Sequence, residues 1–421
     1  VGFRRGRWLP LLAAAALVAC SDAGEAPEPS RSCAAEYWVG AWAAAPSDAE
    51  DAFQDQTLRL ILTPLRGGNE VRVLFSNRLG VAPLTIRDAH LGRQAMAARL
   101  VPGSNTPLAF GGQAAVTIAP GQQVYSDPVA FAFAAFERLA VSLHLPGEAL
   151  GVTKHHAAAQ TSFVSEPGAG NFAADESGSN ITGQMTRRPI VMGLDVKAPG
   201  AHSVVVAIGD SITDGYQQAE VPDLDQRYPD FLAARLAGER DSRSVVNLGI
   251  GGNRVLRDGL LGSMGPALLA RIEADVLARG DVSNVILLEG INDLGLSPNL
   301  SADELIAGLR EAVAMLKAPR SGRPAPRVLV GTLLPAGGAA PPLDALHGKT
   351  ESRRQQVNAI IRRGELGDGH VDFDLALRDP ADETRLAAAY DSGDGLHPSS
   401  AGYERLAAAV NLAALADRDC R

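Results

Sequence analysis

The chain is short of lysine and cysteine and lacks every common metal-ligand spacing, and each shortage narrows what it can be. Lysine occurs at four positions only, and arginine supplies nearly all the positive charge against 48 acidic residues, for a formal net charge of −9. No basic stripe runs along the sequence, so nucleic acid, which needs a cationic footprint, is excluded as a partner. Neither a C-x-x-C pair nor H-E-x-x-H occurs, so no metal site is signalled and no cofactor is called for. G-x-S-x-G is also missing, which excludes the nucleophile elbow of α/β-hydrolases. Low-complexity tracts long enough to imply disorder are absent as well. The 421 residues, 46% of them hydrophobic, suffice for two domains with packed cores.

Long apolar runs are scarce too. The one that stands out lies between Trp8 and Ala19, behind Arg4, Arg5 and Arg7. It is too short to span a bilayer and has the length of a signal-peptide core. It ends in Leu17-Val18-Ala19-Cys20, which resembles a bacterial lipobox, where Cys20 is lipidated and becomes the mature N-terminus. A plain secretory signal cut near the same place is the alternative. Ser21 to Ser32, rich in Ser, Ala, Glu and Pro, reads as a flexible tether, and Ser21 beside the lipidated position suits outer-membrane sorting. The expectation is therefore a signal peptide over 1–19, a tether over 20–33, and a periplasmic or cell-surface protein that meets the membrane through its lipid alone. The oligomeric state stays open.

Setting Cys20 aside leaves Cys33 and Cys420 at the two ends of the folded part. In an oxidising compartment they are expected to form a disulfide; two unrelated thiols are the alternative.

The rest of the chain has two grammars. From Tyr37 to Lys197 short strand-like runs such as Glu70-Val71-Arg72-Val73-Leu74-Phe75 are punctuated by turns such as Arg66-Gly67-Gly68-Asn69 and Pro146-Gly147. This predicts an all-β sandwich or jelly roll over 34–198. After Ala198-Pro199-Gly200, apolar runs at 204–208, 245–250, 284–288, 327–334 and 371–373 alternate with helical patterns such as Leu305 to Leu316. That predicts an α/β domain over 199–421, a three-layer, flavodoxin-like parallel sheet, with its ligand beyond the C-terminal strand ends.

Four short motifs sit at those strand ends or in a late loop: Gly209-Asp210-Ser211, Asn247-Leu248-Gly249-Ile250-Gly251-Gly252, Gly290-Ile291-Asn292-Asp293 and Asp394-Gly395-Leu396-His397. Alone, Ser211 reads more readily as a helix cap than as a nucleophile held at a sheet edge. Together the motifs supply the rest of a reaction. A serine hydroxyl needs a base, which imidazole provides near neutral pH, and His397 needs an acid such as Asp394 to fix its tautomer. Attack on an ester builds an oxyanion, which the N–H of Ser211, a backbone N–H at Gly252 and the amide of Asn292 can hold.

These four blocks resemble those of the SGNH hydrolases, the GDSL esterase/lipase superfamily, from about Ser203 to Ala416. The resemblance implies Ser211 as nucleophile, Gly252 and Asn292 as oxyanion donors, and Asp394 and His397 as the acid–base pair. Ile212 stands where the family usually has Leu. The layout with a preceding β-domain also resembles a bacterial arylesterase-like or carbohydrate-esterase-like subgroup. The expected activity is hydrolysis of short-chain acyl esters, on small molecules or glycans, through an acyl-serine. A lysophospholipase or longer-chain lipase is the alternative, as is a surface glycan-binding lipoprotein with secondary esterase activity.

Asp210, Asp214 and Asn247 are supporting candidates around the nucleophile turn, and Asp293 and Asp391 read as structural. His155-His156 reads as a packed or solvated pair rather than a ligand. Gln160 and Thr161 would face the groove if the β-domain leans over it. Pro335 to Thr350 follows a strand end and suits either a substrate wall or lid or a passive connection. His347 lies within it.

Overall fold

The computed structural model describes residues 1–2, 35–218, 221–239, 241–320 and 323–417. Cys20, Cys33 and Cys420, and with them the lipidation and disulfide expectations, lie outside the described residues.

Two large antiparallel sheets and a small two-stranded one, Leu84–Ile86 with Val116–Ile118, make up the described N-terminal region. One large sheet runs in the order Glu36–Ala43, Val191–Pro199, Gly68–Ser76, Val129–Phe133, and the other is built around the long partners Asp48–Leu62 and Leu139–His155. Alternation explains the arrangement: Val71, Val73 and Phe75 from the first sheet share one core with Leu58, Leu60, Leu62, Val141 and Leu143 from the second. The region's first and last strands are neighbours, with Glu36 opposite Pro199, so the chain leaves the β-region beside the point where it entered.

The C-terminal region holds five parallel strands in the order Arg243–Gly249, Ser203–Gly209, Val282–Leu288, Arg327–Gly331, Gly369–Val371. That is the 2-1-3-4-5 order of doubly wound flavodoxin-like sheets. Every residue of Ser203–Gly209 and of Val282–Leu288 is buried, as runs covered on both faces must be. The helices Tyr228–Gly238 and Ser400–Ala409 pack on each other, and Ala302–Lys317 packs on Glu351–Arg362.

The two regions are joined by more than a linker. Strand Glu36–Ala43 lies along Arg243–Gly249, with Ser244 Oγ donating to the Gly40 carbonyl at 2.6 Å. Val39, Ala43, Ala45 and Leu65 of the β-region belong to the core of the α/β sheet. No helix among the described residues is long and apolar enough to cross a membrane.

Candidate active site

The site forms where the parallel strands end. Gly209 closes its strand because nothing larger fits: a Cβ there would lie 2.1 Å from the Leu288 carbonyl oxygen and 2.3 Å from Thr213 Oγ1. The turn that follows resolves the two roles open to Ser211. Asp210, not Ser211, caps the short helix Ser211–Asp214, its carboxylate accepting the Ile212 N–H at 2.9 Å. The Ser211 hydroxyl is left to hydrogen-bond His397 Nε2 at 2.9 Å.

His397 sits in a loop that shapes itself. Asp391 Oδ1 accepts the N–H groups of Gly393 and Gly395 at 2.9 and 3.0 Å. Asp394 Oδ1 accepts those of Leu396 and His397 at 2.9 and 2.8 Å, and its Oδ2 lies 2.6 Å from His397 Nδ1. A carboxylate opposite Nδ1 puts the ring proton there, so Nε2 presents its lone pair to the serine. Burial favours the neutral Asp394 carboxyl, but the bond to His397 outweighs it and holds the group below the usual carboxylate range. Tyr216 packs edge-on against His397, ring centres 4.5 Å apart.

The second and third motifs meet Ser211 from the other side. Gly249 is pressed onto the nucleophile helix, where a Cβ would lie 2.2 Å from the Asp214 nitrogen. Asn247 Nδ2 donates to the Thr213 carbonyl at 2.8 Å. Gly252 has φ +73°, and Met264 lies over it. Asn292, buried near the start of Ile291–Leu296, donates from Nδ2 to the Asn253 carbonyl at 3.1 Å, which draws that helix to the glycine turn. Asp293 accepts the N–H groups of Val255 and Leu256 at 2.8 and 3.1 Å and so anchors the loop after the turn.

Behind the site lies a buried charge cluster that sequence reading missed. Arg271 is fully buried. It donates to the carbonyls of Leu248 at 2.8 Å and Gly209 at 3.0 Å and to Asn253 Oδ1 at 2.9 Å, and it pairs with Asp275 at 3.1 Å. Arg78 of the β-region reaches Asp275 at 2.5 Å. Glu289 stands 3.7 Å from Arg271, with neither carboxyl oxygen hydrogen-bonded. Burial drives three carboxyls here up, Asp210 to about 7, Asp293 to about 6 and Glu289 well above the ordinary range, the last also facing the charges of Asp210 and Asp293; Asp275 is held low instead, because Arg78 and Arg271 outweigh its burial. The one available signal was the i, i+4 spacing of Arg271 and Asp275 in a helical stretch.

The weaker candidates fall in different places. His155 is buried and reaches Asp214, whereas His156 is exposed. Gln160 bonds to Thr63 at 2.8 Å and Thr161 to Asp223 at 2.7 Å, at the seam between the two regions. The 335–350 segment packs on the catalytic loop, with the Ala340 N–H donating to the Asp394 carbonyl at 2.8 Å. Burial and the nearby His397 lower the His347 imidazole to about 4. No group of His, Cys, Asp and Glu suited to a metal occurs among the described residues.

A parallel α/β sheet with Ser211, His397 and Asp394 gathered beyond its strand ends defines a carboxylic ester hydrolase. Residues 207–405 match the model of the GDSL-like lipase/acylhydrolase family. Among solved structures, the carbohydrate acetylesterase Est24 from Sinorhizobium meliloti is similar at 20% identity and a TM-score of 0.40, covering 49% of this chain and 94% of its own. The aryl esterase of M. smegmatis is similar at 18% identity and a TM-score of 0.40, covering 49% and 95%. No curated protein matches the chain.

Proposed function

We propose that the protein is a serine esterase that removes short acyl groups, such as acetyl groups on sugars or aryl esters, through an acyl-serine intermediate. The observation that carries this reading is the relay Ser211 Oγ, His397 Nε2, His397 Nδ1, Asp394 Oδ2, with contacts of 2.9 and 2.6 Å. In the first half-reaction the Ser211 oxygen bonds to the ester carbonyl carbon while its proton passes to His397 Nε2. The oxyanion is held by the N–H groups of Ser211 and Gly252 and by Asn292. Collapse breaks the bond to the alcohol oxygen, which takes the proton from His397. Water repeats the sequence on the acyl-serine, with His397 as base again, and releases the acid.

Short acyl groups are favoured by what flanks the oxyanion donors. Met264 covers Gly252, and His347 fills the space over Gly295, where a Cβ would lie 2.3 Å from its Nδ1. One observation favours a longer apolar substrate instead: Leu260 and Leu261, each 62% exposed, lie in the loop between Gly252 and Met264.

Export and lipid anchoring at Cys20 belong to the same proposal, supported by the basic and apolar N-terminal pattern. The deciding experiment sets the wild type beside Ser211→Ala on acetylated polysaccharide, aryl esters of increasing acyl chain length and lysophospholipid. The expected result is turnover that peaks at acetyl and falls about 10⁴-fold or more in the variant. Retained turnover in a folded Ser211→Ala would end the serine reading, and a peak at long chains would end the short-acyl one.

A further inference from the structure

His155 comes from the β-region, yet it touches the turn that carries the nucleophile. It is fully buried at the end of Leu139–His155, where its Nδ1 lies 2.9 Å from the Ala45 carbonyl. Its Nε2 lies 3.1 Å from Asp214 Oδ1 and 3.1 Å from the Ala157 carbonyl. Neither carbonyl can donate, and a carboxylate cannot either. Both ring nitrogens therefore need protons, and only the imidazolium has them.

The other oxygen of Asp214 continues the connection. Asp214 Oδ2 accepts the Gly251 N–H at 3.2 Å, next to Gly252, while its backbone nitrogen donates to the Asp210 carbonyl at 2.9 Å. One carboxylate thus joins the nucleophile turn to the glycine turn, and one β-region histidine holds that carboxylate. We propose that His155 is a positioning residue for ester hydrolysis: as an imidazolium paired with Asp214, it fixes Gly251 and Gly252 relative to Ser211. This rests on the reading of Ser211 as nucleophile and Gly252 as oxyanion donor.

The surroundings set the sign of the pH effect. Burial pushes the His155 imidazolium toward deprotonation. The charge and hydrogen bond of Asp214 and the Ala45 carbonyl act against that and prevail, while Arg227 at the start of the next helix opposes them weakly; the group ends above its ordinary range. Arg188, Asp225 and Asp230 face it across a cavity of about 30 Å³ between the two regions. A group whose folded pKa is raised holds its proton, and its contribution, at low and neutral pH and loses both as pH rises through the raised value. Neutral His155 would leave either Asp214 or Ala45 without a donor, loosening the glycine turn.

The test follows kcat and KM from pH 5 to 10 on an aryl acetate, for the wild type, His155→Gln and Ser211→Ala, with folding followed by circular dichroism. The active fraction is titrated with an organophosphonate that labels the serine. In the wild type kcat per titrated site should fall on the alkaline side while the protein stays folded. His155→Gln, which cannot titrate, should lose about 10- to 100-fold in kcat per titrated site at neutral pH, keep KM within about twofold, and show no alkaline fall. If His155→Gln does not fold, Asp214→Asn serves in its place with the same expected readings. Wild-type kcat per titrated site with an unchanged pH profile in the variant, or a variant loss seen only in the titrated fraction, overturns the positioning role. Activity remaining in Ser211→Ala overturns the serine reading instead, so the two failures are distinguishable.

Discussion

The two sides of Ser211 are built on different plans. The acid–base side is local: Asp394 and His397 lie three residues apart and bond to each other, and Asp391 ties the same loop with two backbone bonds. The oxyanion side is assembled from afar. Gly252 follows one strand and Asn292 another; Asp293 beside Asn292 helps hold them, and the other supports, Asp214, Arg271 and His155, come from three further places in the chain. A proton relay needs two groups in contact, which a single loop can supply. Donors converging on one oxygen need a scaffold that holds separate elements in register.

That contrast can be broken from either side. The largest effect after loss of the serine is expected from Asp394→Asn, which keeps the loop's shape but removes the charge that fixes the His397 tautomer. It should lower kcat by about 10³- to 10⁴-fold, measured on an aryl acetate; a loss under tenfold would show that the loop orients His397 without Asp394. Next comes Asn292→Ala. Losing one oxyanion donor should cost about 10²- to 10³-fold in kcat with KM little changed, and a change confined to KM would place Asn292 in ground-state binding instead.

The smallest effect falls on stability. Asp210, Asp293 and Glu289 are raised by burial, so the folded state binds their protons more tightly than the unfolded chain does. Their cost is absent below the unfolded carboxyl range and grows as pH rises toward about 7. Glu289→Gln removes one charge from the cluster and should raise the melting temperature at pH 7.5 by about 2 °C or more, with a smaller gain at pH 5. An equal or lower melting temperature at both would show that Arg271 already neutralises Glu289.

The same contrast explains what could be read from the sequence. Gly209-Asp210-Ser211 and Asp394 to His397 are contiguous, so the chemistry of the local side is visible in the order of residues. The parallel sheet was legible for a similar reason: buried strands such as Val282–Leu288 are continuous apolar runs between helical patterns. The supports were not legible, because nothing local marks them. His155 looked like one of a packed or solvated pair, since its partner Asp214 lies 59 residues away. Glu289 had no local mark either, because its burial beside Arg271 is a product of tertiary packing. Ser211 as a helix cap was resolved only by backbone geometry, which gave that task to Asp210.

The pairing of Glu36–Ala43 with Val191–Pro199 also bears on how the molecule is made. During synthesis the first strand waits for the last before its sheet can close, and that last strand emerges four residues ahead of Ser203, where the catalytic sheet begins. The long sequence separation makes this closure a slow step. It also sets an order of synthesis: Glu36–Ala43 and His155 are made before Arg243–Gly249 and Asp214, which pack against them. The β-region is thus already synthesised when the turn that carries Ser211 and the strand beside it must pack against it.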